Sequence, residues 1–287
     1  MGGDARYVEV IHLLAAKGMK VFLIGYDQLT FENPTIIQTT IEDIDFGAMD
    51  TISLPVAGTN ETGKVEAIYT DKDVYLTEEM VNKTSGHCVI YTGTANAYLK
   101  HVTKSANRTL ITLFERDDLA IYNSIPTAEG TLLLAIEHTD LTVHGSNVMV
   151  LGFGRVGKTV ARLFASVGAS VRVAVRKPAD TARIKEMGLT PIRLENLESD
   201  IAGMDIILNT IPHPIIDSEA ISAMKKSTLI IDITSAPGGT DFNFAHEQGI
   251  KAFHALGLPG KTAPKSAGRF IGGVLLDLLK KNGALSE

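Results

Sequence analysis

Three glycines stand at one turn of the sequence, in Gly152-Phe153-Gly154-Arg155-Val156-Gly157, at the spacing G-x-G-x-x-G. That spacing alone is a weak signal, because ordinary turns produce it too; its surroundings give it force. The run VMVLGFG (148–154) reads as a buried strand, and RVGKTVARLFASVG (155–168) reads as a helix with an apolar face. At such a junction the first glycine takes the tight turn, the second lets backbone N–H groups approach a pyrophosphate, and the third lets helix and strand pack closely. The unpaired N–H groups and the positive end of the helix then face the phosphates. The six residues are expected to bind a dinucleotide, the competing reading being a purely structural glycine turn.

The next strand, VRVAVR (171–176), ends where an NAD site usually places a carboxylate on the ribose hydroxyls, about 20 residues beyond the glycines. Arg176 and Lys177 stand there instead. A carboxylate repels a 2′-phosphate, whereas a guanidinium pairs with it through two parallel hydrogen bonds. NADP is therefore favoured over NAD, with Lys177 adding a looser contact; the alternative is an exposed basic pair at a strand end. Two more strand ends, Asn209-Thr210-Ile211-Pro212 and Asp232-Ile233-Thr234-Ser235, face the same crevice if the sheet is doubly wound. Thr210, Ile211, Pro212, Thr234 and Ser235 are assigned to the cofactor, against the possibility that Pro212 only stops a strand and Asp232 only caps a helix. His138, His213 and His254 receive no catalytic role, since none has a carboxylate partner evident in the sequence. The segment 256–268 is too rich in Gly and Pro to be regular and ends at a helix start carrying Lys261 and Lys265. A cation beside free helix amides holds a carboxylate; a solvated linker is the alternative.

These residues need a scaffold, and the hydrophobic pattern supplies one. After VRVAVR come a helix at 179–188, a strand at 190–194, a short helix to about Gly203, a strand at 205–211, a helix near 217–225, a strand at 228–234, a helix at 241–248 and a strand at 250–256. Strands alternating with helices in this way predict a parallel sheet covered on both faces. The first half alternates less cleanly: a helix at 5–17, strands at 20–25, 36–40, 50–56, 88–93 and 109–114, and a helix at 96–102. The expected class is α/β, with two Rossmann-like or flavodoxin-like domains. Their expected bounds are 1–126 for a flavodoxin-like substrate or partner domain, 127–143 for a connecting helix across a cleft, N-capped by Thr127, and 144–262 for the NADP-binding domain. The last segment, 263–287, is expected as a helix packing across domains. MGGDAR looks like the turn after a strand, yet no strand precedes it; either an N-terminal strand lies outside this sequence or the domain is built with one fewer.

Composition excludes several classes. At 287 residues, 45% hydrophobic and 21% charged, the chain can bury one or two cores and is neither disordered nor fibrous. A net charge of −6 argues against binding nucleic acid or an anionic membrane surface. The single cysteine, Cys88, cannot form an internal disulfide, reads as a small buried hydrophobe rather than a nucleophile, and suits a reducing cytosol. No uninterrupted apolar run approaches the roughly 18 residues of a membrane span, and no signal peptide opens the chain; a cytoplasmic protein without metal ligands is expected.

Four stretches resemble the A subunits of dipicolinate synthase from spore-forming bacteria: GGDAR (2–6), LFERDDLAIYNSIPTAEGTLLLAIEHTD (113–140), HGSNVMVLGFGRVGKTVAR (144–162) and PGGTDFNFAHEQGIKAFHALGLPGKTAPKSAG (237–268). The resemblance runs over nearly the whole chain, and its cofactor domain is similar to that of D-2-hydroxyacid dehydrogenases. It implies an NADP-dependent oxidation of a dihydrodipicolinate-type intermediate, derived from 4-hydroxy-tetrahydrodipicolinate, to dipicolinate in the mother cell during sporulation. It further implies a flavoprotein-like partner, the B subunit of dipicolinate synthase, alongside homo-oligomerisation. In that setting Arg116, Asn123 and Thr127 are expected on the dicarboxylate substrate, with Lys265 and Glu129 as catalytic groups, Glu129 as a base. Two rivals stay open: an enzyme of the 2-hydroxyacid dehydrogenase type, and a non-catalytic NADPH-binding protein that gates a flavoprotein.

Overall fold

In the computed structural model, which describes residues 1–284, the chain divides into two compact units. One comprises Met1–Ala120 together with the chain from Pro264 onward; the other is Ile121–Ala263. The α/β class expected from the alternation is the one found.

The first unit opens with α1 (Ala5–Ala16), whose N-cap Asp4 accepts the Arg6 backbone N–H. Tyr7, Val10, Ile11 and Leu14 repeat at helical spacing and form its buried stripe. Strands β1 (Val21–Leu23) and β2 (Ile36–Gln38) pair in parallel. Next come β3 (Thr51–Ser53), a hairpin of β4 (Lys64–Val65) and β5 (Val74–Tyr75), α2 (Glu78–Lys83), β6 (Val89–Thr92), α3 (Ala97–Ser105) and β7 (Thr109–Thr112). A second parallel sheet has the order β3-β6-β7. The sequence pattern misses β4, β5 and α2, elements too short to show a period.

Helix α4 (Asp117–His138) carries the chain into the second unit. It corrects the expectation of a helix over 127–143 capped by Thr127. The helix starts at Asp117, holds Pro126 inside it, and uses the Thr127 hydroxyl to donate to the Asn123 carbonyl at 2.8 Å. Pro126 suggests a boundary because proline lacks the N–H for an interior bond, but one lost bond in 22 residues does not end a helix packed through Ala128 and Ala135. α4 is also long and apolar enough by composition to cross a bilayer, although no unbroken apolar run marks it in the sequence, because Asn123, Ser124, Thr127 and Glu129 interrupt it.

The second unit is regular: β8 (Asn147–Leu151), α5 (Arg155–Ser166), β9 (Ser170–Val175), α6 (Pro178–Glu186), β10 (Thr190–Arg193), α7 (Leu197–Ile201), β11 (Ile206–Asn209), α8 (Ser218–Ser222), β12 (Leu229–Asp232), α9 (Phe242–Glu247), β13 (Lys251–His254) and α10 (Leu258–Thr262). Its six strands are all parallel in the order β10-β9-β8-β11-β12-β13. In chain order that is 3-2-1-4-5-6, the doubly wound order whose crevice lies at the carboxyl ends of the first and fourth strands. Apolar side chains of β8, β11 and β12 fill cores on both faces. The short helix α10 corrects the expectation that 256–268 is wholly irregular; Pro259 near its start has a preset φ that favours the first turn.

Helix α11 (Pro264–Lys281) returns to the first unit. Its Ile271, Val274, Leu275 and Leu279 share one core with Tyr7, Val10 and Leu14 of α1, so the expected packing across domains is replaced by packing on α1. Gly268 and Gly272 allow the close approach: a Cβ on Gly268 would come within 2.3 Å of the Arg6 carbonyl oxygen. The end of the expected segment, 285–287, lies outside the described residues.

Candidate cofactor site

β8 runs out at Leu151 into Gly152, whose φ of +94° side-chain-bearing residues rarely adopt. A Cβ there would sit 2.6 Å from Thr210 Oγ1. Gly157 is tighter still, because its Cβ would meet the Gly152 carbonyl oxygen at 2.4 Å; this contact lets α5 close against β8. Gly154, by contrast, is exposed and would find nothing within 4 Å of an added Cβ. The turn therefore has two glycines required by packing and one that leaves an open approach to backbone. Gly154 also N-caps α5 without a side-chain bond, so the first amides of this 12-residue helix stay available to a ligand oxygen. Phe153 is buried beneath the turn, Val156 is half-buried and Arg155 is exposed.

β9 stops at Val175, and Arg176 and Lys177 follow it directly, both exposed and neither in an ion pair among the described residues. Lys177 is the N-cap of α6 but supplies no side-chain cap bond. Two cations thus stand beyond the carboxyl end of the strand beside β8.

The threonine hydroxyls at the ends of β11 and β12 bond within the protein. Thr210 Oγ1 donates to the Leu151 carbonyl at 2.8 Å, and Thr234 Oγ1 donates to Asp232 Oδ1 at 2.6 Å. Both threonines thus hold the crevice wall in place. Ile211 is half-buried against Gly152, while Pro212 and Ser235 are exposed. Asp232 caps no helix; the N-cap of α9 is Asp241. Its fully buried carboxylate gathers the Thr234 N–H at 3.0 Å, the Asn209 amide at 3.0 Å, the Gly239 N–H at 2.8 Å and the Thr240 hydroxyl at 2.8 Å. Burial pushes this carboxyl up, but the bonds from Thr234, Asn209 and Gly239 outweigh it and hold it below the usual carboxylate range. The 234–240 loop is pinned by one charge. Sequence reading gives Asp232 no such part, yet a signal is there: Asn209 and Asp232 each end an apolar strand, and they are register partners across β11 and β12.

The histidines have local partners. His254 Nε2 lies 3.0 Å from the Thr234 carbonyl and the ring stacks on Phe242, His213 Nδ1 is 3.0 Å from the Pro214 carbonyl, and His138 stacks on Phe253.

The residues expected on the substrate divide between the units. Arg116 and Lys265 belong to the first, and Asn123, Thr127 and Glu129 to the second. Arg116 pairs with Asp118, Nε to Oδ1 at 3.0 Å, so its guanidinium is already engaged by a carboxylate. Glu129 is exposed on α4, next to Gly130, which packs against Leu258 and Thr262. Lys265 is exposed in the first turn of α11.

Comparison with known proteins agrees with this geometry. Residues 1–114 match the model of the N-terminal domain of the dipicolinate synthase A subunit, and residues 131–237 match that of the D-isomer specific 2-hydroxyacid dehydrogenase NAD binding domain. The A subunit of dipicolinate synthase from Bacillus subtilis is 48% identical over 97% of this chain and 94% of its own length. The crystal structure of the dipicolinate synthase A subunit from Bacillus halodurans superposes with a TM-score of 0.95 at 48% identity, covering 97% of this chain and 96% of that one. A transhydrogenase from Sinorhizobium meliloti, at 15% identity and a TM-score of 0.71 over 97% of this chain and 89% of that one, shares the fold. The NAD-binding domain makes a nicotinamide dinucleotide the cofactor class, as the glycine turn predicts. With near-identical length, close to half of all positions shared and the same backbone throughout, the chain belongs to the family of dipicolinate synthase A subunits.

Proposed function

We propose that this protein is an NADP-dependent oxidoreductase that takes a dihydrodipicolinate-type ring to dipicolinate. The observation that carries the cofactor choice is the pair Arg176 and Lys177, exposed directly after β9 and in no ion pair among the described residues. A nicotinamide cofactor, when bound, supplies a two-electron acceptor. The chain's own task is then to bind and orient. The α5 amides and the open face at Gly154 hold the pyrophosphate, Arg176 and Lys177 the 2′-phosphate, and Ile211, Pro212 and Ser235 line the reactive half. Thr210, Thr234 and Asp232 keep that lining in position.

A substrate bearing two carboxylates calls for cations, and Arg116 and Lys265 are assigned to them; Asn123 and Thr127 are assigned to the substrate as further polar groups. For Arg116 this means exchanging Asp118 for the substrate. Glu129 is assigned as the base that removes a proton when a hydroxylated ring must lose water. A flavoprotein-like partner protein, a role in sporulation and a place in the mother-cell cytoplasm belong to the same proposal, supported by the family.

The cofactor choice is tested by Arg176→Ala. A charge-assisted bidentate pair contributes about 1.5–3 kcal/mol, so the variant should bind NADP roughly 10–100-fold more weakly and NAD unchanged, measured by fluorescence titration. Equal loss for both nucleotides, or a wild-type preference for NAD, would overturn the assignment. Glu129→Gln separates the base role from binding: turnover of the hydroxylated substrate should fall by about 100-fold or more while that of the dehydrated ring persists. An unchanged rate on both removes Glu129 from the mechanism.

A further inference from the structure

One arginine of the first unit is held unlike the others. Asp4 accepts the guanidinium of Arg6 as well as its backbone N–H: Nε lies 3.0 Å from both carboxylate oxygens and Nη2 lies 2.6 Å from Oδ2. The Arg6 side chain is only 11% exposed. Arg116, Arg172, Arg183 and Arg269, which also pair with carboxylates, keep from 35% to 67% of theirs exposed, as surface pairs do. Covering a guanidinium is costly unless its five N–H donors find acceptors, and Asp4 engages one edge only. Nη1 has no acceptor among the described residues. It is not sealed in either, since the buried side-chain atoms without a partner there are Tyr7 Oη and Ser53 Oγ. A covered, oriented fork with one open end matches the geometry of a carboxylate.

The neighbouring helix brings a second cation to the same end. A Cβ on Gly268 would meet the Arg6 carbonyl and Glu9, one on Gly272 would meet Leu13 and lie 3.6 Å from the Val10 Cα, and Arg269 Nε bonds Glu9 Oε1 at 2.7 Å. One turn along α11 therefore corresponds to one turn along α1 in the same direction, so the two helices start side by side. Lys265, three residues before Gly268 and exposed, stands level with the start of α1. That end lies at the carboxyl end of β1, where Gly2 N–H bonds the Ile24 carbonyl at 2.9 Å and the Tyr26 hydroxyl donates to the Gly2 carbonyl at 2.6 Å. Ligands of α/β sheets lie beyond that end of the strands. Asp4, Arg6 and Lys265 all belong to the first unit.

We infer that Arg6 is a further carboxylate-binding residue, in addition to Arg116 and Lys265, whose Nη1 edge takes one carboxylate of the ring while Lys265 takes the other. Asp4 is a positioning residue that fixes the guanidinium before the substrate arrives. A side chain already ordered loses little further freedom on binding, whereas the exposed Lys265 is ordered only then. The inference rests on the proposed reaction, which supplies a ring with two carboxylates.

The test is calorimetric binding of dipicolinate and of picolinate, which lacks one carboxylate, with oxidised NADP present. Wild type should bind dipicolinate the more tightly. Arg6→Ala should weaken dipicolinate by roughly 10–100-fold and remove most of its margin over picolinate. Arg6→Lys, which keeps the charge and loses the fork, should recover only part of that affinity. Asp4→Asn, whose Oδ1 still caps α1, should raise KM for the ring substrate with kcat retained. NADP affinity, read by fluorescence on the same samples, should stay at the wild-type value. If wild type prefers dipicolinate and Arg6→Ala binds it equally well, the inference is overturned and the proposed reaction stands. Failure of the wild type to favour dipicolinate over picolinate overturns both. An equal loss of NADP and dipicolinate affinity in Arg6→Ala marks a folding defect and removes Arg6 from the site.

Discussion

Gly157→Ala is expected to abolish measurable dinucleotide binding and to destabilise the second unit by about 3 kcal/mol, at the upper end of overpacking costs. The new methyl would lie 2.4 Å from the Gly152 carbonyl oxygen, a backbone atom that no rotamer change can move. Relief requires α5 to lift from β8, which carries the helix amides away from the pyrophosphate position. A fall in Tm of roughly 6–12 °C should accompany a loss of affinity beyond about 100-fold. Gly154→Ala is the matching control. Its methyl meets nothing within 4 Å and its φ is −77°, so stability should change by under about 1 kcal/mol while nucleotide binding still weakens, the methyl filling the open approach. If calorimetry finds both variants equally stable and equally able to bind, the glycine turn is not the phosphate site.

Asp232→Asn is expected to cost about 2–4 kcal/mol, because whichever way the new amide turns, its N–H₂ faces a backbone N–H, that of Gly239 or that of Thr234, from which a carboxylate oxygen had accepted. The loop over 234–240 loses its anchor, and a weakened hold on the cofactor should appear as a raised KM for the nucleotide. The pH dependence has a definite sign. The folded carboxyl titrates below its unfolded value near 3.9, so its stabilisation is fully present above about pH 4 and disappears as pH falls through the lower folded value. The stability gap between wild type and variant should therefore be constant near neutrality and close only in acid below pH ~4. A gap that closes at pH 6, or no gap in thermal melts at pH 7, would show that the carboxylate does not hold the loop.

Much of this molecule can be read along the chain. The strands of the second unit are apolar runs because the sheet is covered on both faces, so period and length identify every one of the six strands. The first unit is less legible, because its strands run to only two to four residues and the hairpin β4–β5 carries no pattern. Thr127, read as an N-cap, misplaces the start of α4, because inside the helix its hydroxyl donates back to the Asn123 carbonyl one turn earlier.

The sequence by itself determined the class of fold, the place of the glycine turn and the two cations after β9. These depend on local backbone geometry and on side-chain type, and both are written residue by residue. Tertiary structure alone decided what the polar strand ends do. Thr210 reads along the chain as a ligand contact, and only the arrival of Leu151 beside it, 59 residues away in sequence, gave its hydroxyl an inward partner.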